Sequence, residues 1–180
     1  MFPIRDLRKK VIGFGGRILG EGMPKYLNSP ETPLFNKGRA LYLLEKAREV
    51  AGKTETLIIV EGYFDAIALH QAGLRNAVAT MGTALTAEQV GELAKLAPVV
   101  HMALDADSAG QNAMLRGAEV AKKSHLELRV VPLPEGSDPA DIVQREGGEA
   151  VRALVERSVP FVRFRVERAL AQGDRTTPEG

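Results

Sequence analysis

The sequence predicts an open α/β fold, in which a mainly parallel sheet carries helices on both faces. Three observations predict it. The 180 residues are 44% apolar and 26% charged, enough to bury a core. The middle of the chain alternates strand-length apolar runs with helical stretches, and those runs lack the polar alternation of half-exposed strands. Parallel neighbours need crossover connections, so four such repeats specify a sheet covered on both faces.

The first fifty residues predict a small basic segment of strands and loops. Glycines and prolines interrupt two short apolar runs, over Val11–Phe14 and over 17–19, which indicates a small hairpin or a bent strand pair. The stretch Phe14–Arg17 predicts only a glycine-rich turn, because it lacks the Lys-Ser/Thr ending of a phosphate loop. From Gly38, apolar residues recur at three- and four-residue spacing and predict a helix that ends near Gly52.

Four pairs of strand and helix follow. The predicted strands span 57–60, 77–79, 99–104 and 126–131, and the predicted helices span 65–71, 86–96, 108–123 and 139–145. After Gly147 the chain is arginine-rich and helical, over 150–158 and 160–171. We therefore expect part of an N-terminal subdomain over 1–52, the sheet domain over 53–148 and the start of a C-terminal helical subdomain over 149–180. Thr177 and Pro178 have the pattern of a further helix start, so we expect a fragment.

Composition excludes several kinds of site. With no Cys and only three His, thiolate zinc sites, disulfides and thiol nucleophiles are excluded, and any metal must bind oxygen ligands. The sequence contains no apolar run long enough for a membrane span, and its first residues lack the apolar run of a signal peptide. We therefore expect a cytoplasmic protein. Residues 1–50 carry ten basic and five acidic side chains, net +5, whereas residues 51–150 carry eight and fourteen, net −6. This asymmetry suits a polyanion bridged by cations, although solvated surface charge explains most such cases.

Acidic residues follow three of the predicted strands. Glu61 follows the first, Asp105 and Asp107 follow the third, and Asp138 follows the fourth. Ligands of open α/β sheets bind at the carboxyl ends of the strands, so these acids should meet at one edge. Gathered carboxylates take up protons unless divalent cations neutralise them. Oxygen ligands without His or Cys favour Mg²⁺ or Mn²⁺, which points to phosphoryl chemistry.

Each of these residues also has a structural explanation. A single Asp after a strand can cap the next helix, as Asp65 could for the helix predicted over 65–71. Capping explains any one acid as well as metal binding does, but it explains four acids at three strand ends poorly. Gly62 would let the backbone turn sharply beside a ligand, although an ordinary loop glycine is the simpler explanation.

These motifs resemble the toprim module of bacterial primases, type IA and II topoisomerases, recombination mediators and some nucleases. The matching strings are Glu61-Gly62-Tyr63-Phe64-Asp65, Asp105-Ala106-Asp107-Ser108-Ala109-Gly110 and Asp138-Pro139. Three N-terminal strings, Val11–Arg17, Pro24–Thr32 and Phe35–Gly38, closely resemble the catalytic core of bacterial replicative (DnaG-type) primase. The resemblance runs from about Phe2 to about Arg168.

The resemblance implies a DNA-dependent RNA polymerase that makes short RNA primers on single-stranded DNA, using two or more Mg²⁺ or Mn²⁺ ions. By similarity, Asp105, Asp107 and Asp138 hold the ions, and Glu61 is a ligand or the general base. Asp65 and Gly62 support the site. The positions that hold nucleotide or primer–template in the family match Lys25, Asn28 and Lys37. Arg17 is a further candidate for nucleotide or DNA binding. Tyr26 could stack on a base, although a tyrosine at the edge of the core is an equally good explanation.

One motif departs from the family pattern. Many relatives have acid-Pro-acid where this chain has Asp138-Pro139-Ala140, and Asp141, one position later, is a candidate replacement. The family also has domains that this chain lacks, including one that binds the replicative helicase, so we expect low activity from the chain on its own. We also expect the chain to be monomeric. The other expected partners are single-stranded DNA, the RNA primer and ribonucleoside triphosphates.

Two alternative functions stay open. The first is another toprim enzyme, a nuclease or a topoisomerase. A topoisomerase needs a nucleophilic tyrosine, and Tyr42 lies on a predicted helix while Tyr63 lies inside the acidic motif, which weakens that alternative. The second is a non-catalytic α/β module whose carboxylates bind metal or phosphate. A nucleotidyl-transfer assay separates an enzyme from such a module.

Overall fold

The computed structural model describes residues 1–82, 85–104, 121 and 125–172, and this part of the chain holds eight strands and six helices. The strands are β1 (Phe2–Arg5), β2 (Val11–Arg17), β3 (Tyr26–Asn28), β4 (Thr56–Val60), β5 (Ala77–Ala79), β6 (Val99–Met102), β7 (Glu127–Val130) and β8 (Val159–Pro160). The helices are α1 (Leu44–Thr54), α2 (Tyr63–Gln71), α3 (Ala87–Ala94), α4 (Pro139–Glu146), α5 (Gly148–Glu156) and α6 (Phe161–Gln172). Within the described residues, no helix has the length and apolar character needed to cross a membrane.

The larger sheet has five strands in the order β5-β4-β6-β7-β8. The first four run parallel, and β8 is antiparallel at one edge. In chain order, β5 lies on one side of β4 and β6 on the other side. The carboxyl ends of β4 and β6 therefore flank the switch point, where open α/β sheets bind ligands. The predicted open, mainly parallel sheet is confirmed, and Glu61 follows β4 directly at this point.

Helices cover both faces of this sheet, as predicted. In β4, Leu57 and Ile59 pack in the same core as α1, α3 and α6, whereas Ile58 and Val60 pack in the core that contains α2, α4 and α5. All four of these strand residues are buried, which explains the uninterrupted apolar run. The helix predicted over 108–123 lies outside the described residues.

A second sheet, antiparallel and of order β1-β2-β3, forms the N-terminal part. The predicted glycine-rich turn at Phe14–Arg17 is wrong, because these residues complete β2. A Cβ at Gly13 would lie 3.1 Å from the ring of Phe35. A Cβ at Gly15 would lie 2.8 Å from Cε2 of Tyr63 and closer still to its hydroxyl. The two glycines therefore leave room for two aromatic rings.

Other boundaries differ from the prediction for tertiary reasons. The helix expected from Gly38 begins at Leu44, because residues 37–39 form a turn and Tyr42 exchanges backbone hydrogen bonds with Ala79. The apolar run over 17–19 forms no second strand, because β2 ends at Arg17 and its partner β3 lies at Tyr26–Asn28. Neither β1 nor β8 was predicted. Each is short and forms by pairing with a neighbour, β2 and β7 respectively.

We expect Gly15→Ala to lower the free energy of unfolding by about 1 to 3 kcal/mol, because the added methyl group would displace the ring of Tyr63. Gly16→Ala is the matched control, since a Cβ there would meet no atom closer than 3.8 Å. Urea denaturation of the two variants and the wild type measures the difference. Equal stability of the two variants would contradict the proposed overlap.

Candidate active site

A cleft of about 270 Å³ opens at the carboxyl edge of the parallel strands. Three of the predicted acids, Glu61, Asp65 and Asp138, line it together with Gly62. The other described wall residues are Tyr26, Tyr63, Met81, Gly82, Ala103, Leu133 and Pro139. The acids come from the end of β4, the first turn of α2 and the residue before α4. Segments far apart in the sequence thus bring carboxylates to one cleft.

Asp105 and Asp107, the other two predicted ligands, lie outside the described residues. Ala103, two positions before Asp105 in the sequence, belongs to the cleft wall. Among the residues that the structure describes, no group of three acidic or histidine side chains is close enough to hold a metal ion. Glu61, Asp65 and Asp138 are the acids of this cleft that lie within the described residues.

Asp65 is the buried acid of the cleft. Its carboxylate accepts hydrogen bonds from the backbone N–H groups of Gly62, at 3.0 Å, and Ala140, at 3.2 Å. Burial, followed by the negative charges of Asp138 and Glu61, raises the pKa of Asp65 to about 6, although the two hydrogen bonds act in the opposite direction. Asp65 lies in the first turn of α2 and not at its N-cap, which is Gly62. It therefore joins the start of α2 to the start of α4.

Asp138 caps helix α4. Its Oδ1 accepts a hydrogen bond from the backbone N–H of Asp141 at 2.7 Å, and Pro139 takes the first helical position. The capping explanation is thus correct for Asp138, yet the side chain is exposed and still faces the cleft. Asp141 is exposed and is not among the described wall residues. Ala140, which stands where the family resemblance leads one to expect an acid, contributes its backbone N–H to Asp65.

An aromatic and basic surface lies beside the acids. Tyr26 is a wall residue, and the guanidinium carbon of Arg17 lies 5.6 Å from the centre of its ring and 5.2 Å from that of Phe64. Such distances are those of cation–π contacts. Asn28 is half-buried and hydrogen-bonded to Tyr63 and to the backbone of Met81. The structure therefore brings Arg17, Tyr26 and Asn28 to the side of the cleft.

The two predicted lysines are placed differently. Lys25 is exposed and directly precedes Tyr26 in β3. Lys37 is half-buried, its backbone N–H donates to the Glu31 carboxylate at 2.9 Å, and its carbonyl accepts from Gln89 of α3 at 3.4 Å. Neither lysine is a wall residue of the cleft, and only Lys25 adjoins one in the sequence.

Sequence reasoning missed the structural position of Tyr63. Its ring is 2% exposed, stacks on Phe2 at 4.6 Å and meets Tyr42 edge-on at 4.7 Å. Burial, with a smaller effect of Tyr42, raises its pKa to about 12, so its hydroxyl stays protonated. A signal was available, because Gly13 and Gly15, two apart on one face of a strand, leave space that large rings fill.

Comparisons with known proteins agree with this arrangement. A Toprim-like family model matches residues 58–143, and the model for the N-terminal domain of the DNA primase catalytic core matches residues 1–48. A DNA primase of Clostridium acetobutylicum is 46% identical over 94% of this chain. The chain belongs to the DnaG-type bacterial primase family.

Solved structures from the primase family share the whole fold. A DNA primase domain from Pseudomonas aeruginosa is 43% identical with a TM-score of 0.88, covering 100% of this chain and 57% of that one. A DnaG primase catalytic domain bound to single-stranded DNA is 44% identical with a TM-score of 0.87, covering 100% and 58%. The chain spans only 28% of the length of the Clostridium primase. It therefore corresponds to part of a family member.

The raised pKa of Asp65 makes the metal-free protein sensitive to pH. Protonated Asp65 stabilises the fold, and this contribution is lost as the pH rises from 3.8, the ordinary pKa, through about 6. Relative to Asp65→Asn, which imitates the protonated side chain, we expect wild-type stability to fall by up to about 3 kcal/mol over this range. Urea denaturation with a chelator present, at several pH values, measures both proteins. Parallel pH profiles would contradict the expectation.

Proposed function

We propose that this chain carries the nucleotidyl-transfer site of a bacterial primase, which joins ribonucleotides on a single-stranded DNA template. The observation that carries the proposal is the cleft at the switch point of the sheet, where Glu61, Asp65 and Asp138 meet. An acidic cleft at this position in a primase-family chain suits metal-dependent phosphoryl transfer. Such a role in chromosome replication would place the protein in the bacterial cytoplasm.

The donor chemistry of the cleft fits Mg²⁺ or Mn²⁺. Glu61 and Asp138 offer carboxylate oxygens, and no Cys is present in the chain. Burial, followed by the negative charges of Asp138 and Glu61, raises the pKa of Asp65, and a bound cation would neutralise those charges. Asp105 and Asp107 complete the proposed ligand set on the strength of the family resemblance. Two or more bound ions would supply positive charge to the attacking 3′-hydroxyl and to the leaving pyrophosphate.

The protein side chains then have separate roles. Glu61 is a ligand or takes the proton of the 3′-hydroxyl, and Asp65 orients the starts of α2 and α4 around it. Tyr26, backed by Arg17, offers a face on which a base can stack. Asn28 and Lys25 bind the incoming triphosphate or the primer–template. For Lys37, only the family match supports this role, because its backbone carbonyl accepts a hydrogen bond from Gln89 of α3.

The division of the chain and its remaining partners are also proposals. Residues 1–52 would form the nucleotide and template side, 53–148 the metal-binding toprim domain and 149–180 the start of a helical subdomain. Helix α1 packs in the core of the sheet domain. The boundary between residues 52 and 53 would therefore divide the nucleotide-binding part from the metal-binding part, although the two parts share one hydrophobic core. The replicative helicase would bind elsewhere in the complete enzyme, and the chain would be monomeric.

The alternatives are less well supported. Tyr42 and Tyr63 are 6% and 2% exposed, so neither ring is placed to attack DNA as a topoisomerase nucleophile. Tyr26 is 42% exposed and lines the cleft, so burial does not exclude its hydroxyl as a nucleophile. A metal-dependent nuclease would use the same acids with water as nucleophile. Incubation with template, ribonucleotides and Mn²⁺ distinguishes the two, because only a primase lengthens RNA.

We expect Asp105→Ala and Asp107→Ala each to weaken Mn²⁺ binding by at least about tenfold, because each removes a proposed ligand. Without metal, their stability should stay level or rise, since a like charge is removed. Glu88→Ala is the control, because Glu88 is an exposed acid in the first turn of α3 and is not a wall residue of the cleft. Calorimetric titration and anomalous scattering from Mn²⁺-soaked crystals check both points. Anomalous peaks only at sites away from Glu61 and Asp138 would contradict the assignment.

We expect Lys25→Ala to weaken binding of a single-stranded oligonucleotide and to reduce the salt dependence of that binding by about one counterion. Lys37→Ala should have a smaller effect, because Lys37 is half-buried, whereas Lys25 is exposed and adjoins the wall residue Tyr26. Lys53→Ala, an exposed lysine near the end of α1, is the control. Fluorescence titrations across salt concentrations measure all three. Identical salt slopes for Lys25→Ala and Lys53→Ala would show that Lys25 is ordinary solvated surface.

A further inference from the structure

The hydroxyl group of Tyr63 connects the two sheets beside the cleft. It donates a hydrogen bond to Oδ1 of Asn28, with 2.6 Å between the two oxygens. Asn28 is the last residue of β3, and Tyr63 is the first residue of α2. One side-chain hydrogen bond therefore joins the N-terminal sheet to the segment that follows Glu61.

This contact fixes the orientation of the Asn28 amide. Nδ2 of Asn28 donates to the backbone carbonyl of Met81 at 3.2 Å, and a carbonyl oxygen can only accept. The oxygen of the amide must therefore face Tyr63, which makes the tyrosine the donor. Without the hydroxyl, only the hydrogen bond to the Met81 carbonyl would oppose rotation of the amide.

Met81 extends the connection to the backbone of Glu61. The N–H groups of Met81 and Gly82 donate to the carbonyl of Glu61, at 3.0 and 3.3 Å. Met81 has a φ of 64°, a left-handed conformation that non-glycine residues adopt only where their surroundings hold it. The hydrogen bonds to Glu61 and from Asn28 hold it here. Tyr63, Met81, Gly82 and Glu61 all line the cleft.

We propose that Tyr63 is a positioning residue for the incoming nucleoside triphosphate, which it affects through Asn28 without touching the nucleotide. The inference rests on the proposed function of the cleft and on the assignment of Asn28 to nucleotide binding. The aromatic ring holds the fold, since it is buried against Phe2 and Tyr42. The hydroxyl has a separate role, because it keeps the Asn28 amide and the Met81 carbonyl in one arrangement. Loss of the hydroxyl therefore weakens nucleotide binding and leaves the fold in place.

The test compares Tyr63→Phe with Tyr42→Phe in the 180-residue chain. Both variants remove only a hydroxyl from a buried ring of the same aromatic cluster, and Tyr42 takes no part in the connection to Asn28. We expect Tyr63→Phe to weaken ATP binding in the presence of Mn²⁺ by about fivefold, because the loss of one hydrogen bond can shift the arrangement of the Asn28 amide by about that factor. Tyr42→Phe should bind ATP as the wild type does. Binding of Mn²⁺ alone should be unchanged in both, and both should remain folded at the temperature of the titration, with at most a small decrease in the melting temperature.

A double-mutant cycle with Asn28→Ala separates positioning from a general structural effect. If Tyr63 acts through Asn28, the double variant binds ATP no more weakly than Asn28→Ala alone. A hydroxyl that acts independently of Asn28 predicts that the two losses multiply. The side-chain amide signals of Asn28 in a proton–nitrogen correlation spectrum give a readout without nucleotide. They should move in Tyr63→Phe and stay in place in Tyr42→Phe.

The outcomes separate this inference from the function on which it rests. If the wild-type chain binds no ATP with Mn²⁺, the proposed function fails and the inference fails with it. If the wild type binds ATP and Tyr63→Phe binds it equally well, or the two losses multiply, only the inference fails. Unfolding of Tyr63→Phe would also overturn it, because the hydroxyl would then be a structural group. Unchanged Asn28 amide signals in Tyr63→Phe would overturn it as well, because the amide would then keep its orientation without the hydroxyl.

Discussion

The packing of the Tyr63 ring is the contact on which the rest of the cleft depends. The ring stacks on Phe2 of β1, meets Tyr42 edge-on and lies where a Cβ at Gly15 would be. Burial of one such aromatic side chain contributes about 2 to 3 kcal/mol, with a further contribution from its ring pairs. The N-terminal sheet can therefore approach the parallel sheet closely only because β2 carries glycine at this position. Tyr26 and Asn28 reach the cleft as a consequence.

The acidic side chains impose an opposing constraint. Glu61, Asp65 and Asp138 lie together although their charges repel, and the raised pKa of Asp65 is the direct expression of burial and of that repulsion. Backbone N–H groups of Gly62, Ala140 and Asp141 partly offset it. Because these groups belong to the starts of α2 and α4, the hydrogen bonds that reduce the repulsion also hold the two helices around the cleft.

The bounds of individual strands and helices show which features the sequence could predict. β5 was predicted at its observed bounds and β4 to within one residue, because short continuous apolar runs carry this information locally. The start of α1 was predicted too early, since the backbone pairing of Tyr42 with Ala79 involves residues far apart along the chain. For the same reason β1 and β8, which exist through pairing with β2 and β7, could not be found by periodicity.

The sequence by itself determined the sheet class, the acids that follow its strands, the absence of thiol ligands and the primase resemblance. These properties depend on residue type and on spacing over a few positions. Only the tertiary structure decided that Asp65 joins two helix starts, that Asn28 is fixed between Tyr63 and Met81, and that Lys37 packs against α3. Such contacts join segments dozens of residues apart, and the packing of the two sheets around the Tyr63 ring selects which of them meet.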